Sequence, residues 1–351
     1  MLPLPTASIL LVLLSVLPLH ITGQSNLINP TATPPANFRF ALGAWFDNTN
    51  TPASFNAKLG RNLASFQAAQ SIPYDVLANG TVWLDPPEWQ RNYTWDVDRW
   101  DDATDASVFM TIYADKFSPD GSAGGMDLVS DDALEHLAAR LHTITTKTER
   151  TVYLRWLPEF NGNWMPYGKR PKQFVQLWQR MATVMRSAAP GVLLVWSPNF
   201  DLARGDAAYW PGADVVDVVG VSLYYKGYGV NDAVNDEFVA LTMHTVYAEY
   251  AEAYQKPFVI SECSAGWEVG NGSNPSTGEH FTAPSNKVDQ ATMQSTFWGS
   301  ILNPAFFARF PLLHGAYIFE FLKEFGFYGG RRKIFKRISV SRRTRLCGAR
   351  L

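Results

Sequence analysis

Cysteine is close to absent. Cys263 and Cys347 are the only two in 351 residues, which excludes a disulfide-dense scaffold and a four-cysteine zinc site. The six histidines form no His-Glu-x-x-His motif and no close pair, so neither a catalytic metal nor another cofactor is expected. No Gly-x-Gly-x-x-Gly or Gly-x-x-x-x-Gly-Lys-Ser/Thr run follows an early strand, which removes the usual nucleotide-binding folds. Gly-x-Ser-x-Gly is missing as well, and with it the strand-to-helix elbow of a serine hydrolase. Cys263 is read as a buried small side chain, not a nucleophile.

Charge is lacking at one end and one-sided at the other. Residues 1–23 contain no Lys, Arg, Asp or Glu, and residues 331–351 contain nine Lys or Arg and no acid. The remaining 24–330 hold 21 basic against 32 acidic residues, a balance of −11 that the whole-chain value of −2 hides. Such a body is unsuited to binding nucleic acid, whose phosphates need a net positive face. The apolar run 9–19 (ILLVLLSVLPL) has the length of a signal-peptide core and is short for a membrane span. A signal peptide over 1–23, secretion to the extracellular space, and no span after cleavage are therefore expected. Sequons at Asn79, Asn92 and Asn271 agree with a secretory route and N-glycosylation. The Pro/Thr/Asn-rich 24–37 reads as a linker. The basic 331–351 reads as an atypical tail, either foreign to the domain or suited to an anionic surface.

What is abundant is aromatic: 12 Trp, 14 Tyr and 22 Phe. Between 38 and 330, β-like runs alternate with helical patterns. The runs are 38–46, 64–74, 107–114, 151–159, 192–198, 215–224, 257–262 and 314–320; helices are expected over 54–62, 131–147, 171–188, 235–255 and 287–302. Apolar strands alternating with helices indicate parallel βαβ units. Eight of them fit a (β/α)8 TIM barrel better than an open doubly wound sheet, with the closing helix after strand eight atypical.

In such a barrel the chemistry sits at the C-terminal ends of the strands. The fourth run ends in Glu159 and the seventh in Glu262, so two carboxylates converge on one mouth. Paired carboxylates are what glycoside hydrolysis needs. Period-two alternation puts Arg155 on the face of Glu159, where a cation could tune a carboxylate. Trp45, Trp164 and Trp267 fall near the mouth, where flat apolar faces suit sugar C–H groups; Trp178 and Trp196 read as core. Asn199, after strand five, is placed to reach a sugar hydroxyl. Tyr224 and Tyr225 compete for the inward position at the end of strand six, and Tyr224 is preferred.

The segment YLRWLPEFNGNWMPYG (153–168) resembles the acid/base motif of glycoside hydrolase family 26, the β-mannanase family of a retaining (β/α)8 clan. KPFVISECSAGWE (256–268) is similar to its nucleophile strand, and VVDVVGVSLYYKG (215–227) to its sixth strand. The resemblance implies Glu159 as proton donor and Glu262 as nucleophile. It also implies that Tyr224 holds the nucleophile and that Trp164 stacks on a sugar, with Asn161 beside it. A retaining mechanism then needs the two carboxyl groups about 5–5.5 Å apart. The implied substrate is a plant or fungal cell-wall β-glycan, β-1,4-mannan first, cut by a monomer. An endo-β-glucanase or other β-glycanase of the same clan, or a non-catalytic glycan-binding barrel, are the alternatives. Pro158 stands where the family usually has His, which points towards a branch acting on another β-glycan.

Overall fold

The computed structural model describes residues 39–46, 51–87, 104–200, 205–226, 231–266, 272–273, 280–281 and 288–320. The signal-like leader, the linker, the basic tail, Asn92, Trp267 and Asn271 lie outside the described residues.

Eight parallel strands close into a barrel: β1 (Ala41–Phe46), β2 (Ser65–Ser71), β3 (Ser107–Tyr113), β4 (Val152–Trp156), β5 (Val192–Trp196), β6 (Val218–Lys226), β7 (Phe258–Gly266) and β8 (Leu313–Glu320). Closure is made by β8 against β1, in register from Gly315 opposite Ala41 to Glu320 opposite Phe46. The strands are apolar on both faces because both are covered: the outer face by helices, the inner by the opposite wall. β3 illustrates this, with Val108 through Ile112 all buried.

The helices are α1 (Pro52–Leu59), α2 (Asp131–Thr148), α3 (Pro171–Ala188), α4 (Asp236–Val246), α5 (Gln290–Ile301) and α6 (Pro304–Arg309). α2 starts where the Ser130 hydroxyl accepts the Ala133 N–H at 3.1 Å, and Asp131 and Asp132 complement the helix dipole in its first turn. Its Leu134, Leu137, Ala138 and Leu141 recur at helical spacing and face the barrel. α3 opens on Pro171 and buries Phe174, Trp178, Met181 and Met185 in the same way. α4 runs on into a π-helical turn at Tyr247–Glu252. Trp178 and Trp196 are fully buried.

Two layers of side chains fill the barrel. The lower is apolar: Phe109, Val195, Val218, Val259 and Tyr317, with Tyr153 against them. The Tyr317 ring occupies the space a side chain at Gly43 would need, since a Cβ there would lie 2.5 Å from it. The layer above is polar and buried: Gln67, Thr111, Arg155, Ser197, Ser222 and Ser261. Buried polar groups are tolerated when they bond one another, and here they do. Gln67 Nε2 donates to Thr111 Oγ1 at 2.8 Å, and the Ser197 and Ser261 hydroxyls are 2.6 Å apart. Gly220 leaves room for that serine pair, since a Cβ would approach Ser261 Oγ to 3.1 Å. This polar floor carries the site.

Candidate active site

Glu262 reaches the barrel interior through an irregularity. Val259 and Ser261 point inward, so strict alternation would turn Glu262 outward with Ile260. On the β6 side, however, pairing steps from Val221 opposite Ile260 to Ser222 opposite Glu262. On the β8 side it steps from Ala316 opposite Ile260 to Ile318 opposite Cys263. β7 thus carries one residue more than both neighbours, a bulge that resets the phase and turns Glu262 inward beside Ser261. The strand continues to Gly266, so Glu262 lies within it and not at its end as expected from sequence.

Glu262 is 7% exposed, and its carboxylate is well supplied with donors. Arg155 Nη1 donates to Oε2 at 2.7 Å, and the Tyr224 hydroxyl donates to Oε1. Arg155 is fully buried. Its Nε donates to Ser197 Oγ at 3.2 Å and its Nη2 to Ser222 Oγ at 2.5 Å, so β6, β7 and the residue just after β5 hold the guanidinium. Burial pushes the Glu262 carboxyl up from its ordinary value. The Arg155 charge and the two hydrogen bonds pull it down, while the Glu159 charge pushes it up again. The Tyr224 hydroxyl is raised well above its usual range, by burial first and then by Glu262. Tyr225 turns away and packs edge-on against Phe238, ring centroids 5.1 Å apart.

Glu159 stands on the β4–α3 loop, since β4 ends at Trp156. The expected continuation of the strand to Glu159 is corrected here. Leu157 (φ 44°) and Glu159 (φ 57°) take left-handed backbone on either side of Pro158, which breaks the alternation. Arg155 and Glu159 consequently do not act on one face: the cation bonds Glu262. Glu159 N–H donates to Ser197 O at 3.0 Å, and the Pro158 carbonyl accepts the hydroxyl of buried Tyr167 at 2.8 Å. Gly168 closes the loop, for a Cβ there would fall 2.1 Å from Gly162 O.

Both oxygens of Glu159 accept hydrogen bonds, Oε1 from Asn199 Nδ2 at 2.7 Å and Oε2 from Trp164 Nε1 at 2.9 Å. Asn161 and Asn199, both expected to meet sugar, are engaged with the protein. Asn161 Nδ2 donates to Asn199 O and its Oδ1 accepts Asn199 N–H, each at 2.9 Å. Asn161 thus clamps the backbone of the residue that holds Glu159. Trp164 is 57% exposed, its indole lying over Gly162. Trp45 is half-buried and packs edge-on against Phe319, which packs edge-on against Tyr224, so Trp45 belongs to the wall behind the nucleophile candidate.

Sequence reasoning missed Tyr113, the last residue of β3. Burial, then the Glu262 charge, pushes its hydroxyl well above the ordinary range, with Glu159 adding to it. Its position at a strand end was the available signal. Cys263 faces away from Glu262; it is buried and its thiol meets Tyr317 O at 3.3 Å. Among the described residues, no group of three or more His, Cys, Asp or Glu could hold a metal ion.

The glycosyl hydrolase family 26 profile matches residues 94–280, a span that includes Glu159, Tyr224 and Glu262. The chain belongs to glycosyl hydrolase family 26. Over 122 residues it is 32% identical to the β-1,3-xylanase TXYA of a Vibrio species, covering 33% of this chain and 24% of that protein. A β-1,3-xylanase of an Alcaligenes species matches at 30% over 122 residues, 33% of this chain and 23% of that one. The match thus spans about a quarter of the length of these relatives. In fold, the chain is similar to the catalytic domain of an endo-β-1,4-mannanase of Bacillus sp. JAMB-750. The TM-score is 0.53 at 13% identity, over 80% of this chain and 77% of that one.

Proposed function

We propose that this family 26 barrel hydrolyses a β-linked cell-wall polysaccharide with retention of configuration. One observation carries the reading: a buried carboxylate, Glu262, held by Arg155 and Tyr224 and close enough to feel the charge of a second carboxyl, Glu159, on the β4–α3 loop. In the first step Glu262 attacks the anomeric carbon while Glu159 gives its proton to the leaving oxygen, forming a glycosyl–enzyme ester. In the second, Glu159 takes a proton from water, which attacks the anomeric carbon and releases Glu262. Arg155 and Tyr224 fix the attacking oxygen pair. The Trp164 face, held by its N–H on Glu159, supplies a stacking surface beside the proton donor.

β-1,4-mannan is the first substrate to test, from the three motifs, and β-1,3-xylan the second, from the local identity to enzymes of that name. We place this action outside the cell, on the leader-like 9–19 and the sequons, of which Asn79 is exposed in a turn. The test is reducing-end release from both polymers and a mixed-linkage β-glucan, for wild type beside Glu159→Ala and Glu262→Ala. Wild type is expected to cut one of them and both variants to lose at least about 10³-fold. Binding without release by wild type would leave a glycan-binding barrel instead. Full activity in both variants would overturn the residue roles.

A further inference from the structure

Four large apolar side chains are exposed among the described residues, and two of them, Trp164 and Phe117, stand on adjacent loops of the barrel mouth. Phe117 is 59% exposed on the β3–α2 loop. The two rings are mounted alike. A Cβ on Gly162 would fall 2.4 Å from the Trp164 indole, and a Cβ on Gly124 would fall 2.2 Å from the Phe117 ring. Each ring therefore lies directly over a glycine, one face supported by backbone and the other open.

The mounting of Phe117 is rigid. Phe117 and Gly124 form an antiparallel bridge, and Lys116 O accepts the Gly125 N–H at 2.8 Å. Beyond it the tip is cross-braced: Ser118 N–H donates to Ala123 O at 2.8 Å, Ala123 N–H to Ser118 Oγ at 2.8 Å, and Ser122 Oγ to Asp120 Oδ1 at 2.7 Å. Gly125, at φ 61°, seats this hairpin on the neighbouring loop, where a Cβ would come within 3.1 Å of Pro166 Cβ. Pro166 is two residues from Trp164. Phe117 is thus fixed relative to the proton-donor loop.

We propose that Phe117 is a second sugar platform, a subsite that stacks the C–H face of a neutral pyranose one or more units from the scissile bond. This rests on the β-glycan reading above. An exposed ring held rigid with one face free has nothing to gain in water, whereas a pyranose face covers it without needing charge or hydrogen bonds. The subsite adds to binding of long chains and leaves the bond-breaking residues untouched.

The experiment measures kcat/KM for wild type, Phe117→Ala, Phe117→Tyr and Gly124→Ala on manno- and β-1,3-xylo-oligosaccharides from dimer to hexamer. Affinity electrophoresis in gels holding each soluble polymer runs beside it. Gly124 has extended backbone (φ −170°), so alanine there displaces the ring without straining the chain. Phe117→Ala and Gly124→Ala should lower kcat/KM on the longest oligosaccharide roughly tenfold, leave the shortest cleaved substrate unchanged, and reduce gel retardation. Phe117→Tyr should restore wild-type behaviour. An unchanged ratio of long to short substrates, with wild type active, overturns the subsite and leaves the hydrolase reading standing. Wild type that is retarded without cleaving overturns the hydrolase reading, and retardation then decides Phe117 alone. Wild type neither retarded nor active overturns both.

Discussion

Replacing Arg155 by methionine isolates the electrostatics that the polar floor is built to supply. The methionine fills much of the same volume, so the main loss is charge and three donors. The Arg155–Glu262 contact is 2.7 Å and wholly enclosed on the arginine side. Unit charges roughly 4 Å apart in an effective dielectric of about 20 attract by about 4 kcal/mol. Breaking one side of a buried pair costs about 3–5 kcal/mol, because the partner is left uncompensated.

The sign of the pH dependence follows from Glu262. Its carboxyl is already raised in the folded protein by burial, and Arg155 is the strongest influence pulling it down. Without Arg155 it rises further. A carboxyl raised on folding adds stability below its unfolded value, about 4.3, and loses that contribution as pH climbs through the folded value. The destabilisation of Arg155→Met should therefore be smaller at about pH 4.5 than at about pH 8. Urea unfolding at both pH values measures it, with an unchanged slope reporting that the same surface is exposed. The double variant Arg155→Met/Glu262→Gln should recover most of the loss at pH 8, since no buried charge then stands alone. Equal losses at both pH values, with no relief from Glu262→Gln, would refute the reasoning.

Removing the Tyr224 hydroxyl in Tyr224→Phe takes a donor from Glu262. kcat/KM should fall roughly 10²-fold, and the acid limb of its pH profile should move up, because that hydrogen bond lowers the Glu262 carboxyl. Gly168→Ala places a Cβ against the Gly162 carbonyl. It should cost about 1–3 kcal/mol in urea unfolding and disproportionately more kcat, since the loop it distorts carries Glu159.

The eight strands were legible because a closed parallel barrel buries each on both faces, and burial leaves continuous apolar runs such as 107–114 and 192–198. Register along a strand was less legible. Alternation holds only while the backbone stays extended and the ladder carries no extra residue, and each carboxylate sits where one of these conditions fails. At Glu159 the left-handed Leu157 and Glu159 flank a proline, a sequence that alternation reads as one more strand residue. At Glu262 the bulge adds a residue that no composition marks, since Ser261 and Glu262 are each ordinary within a strand. Sequence reading assigns both glutamates to strand ends, whereas β4 stops at Trp156 and β7 runs on to Gly266. Arg155 shows a further limit of periodicity. Alternation puts its side chain on the inner face beside a carboxylate but does not say which carboxylate it meets. The true partner lies 107 positions away across the barrel. Sequence periodicity orders side chains within one strand, whereas a pair formed across a closed barrel depends on shear and bulges that appear only when all eight strands are assembled.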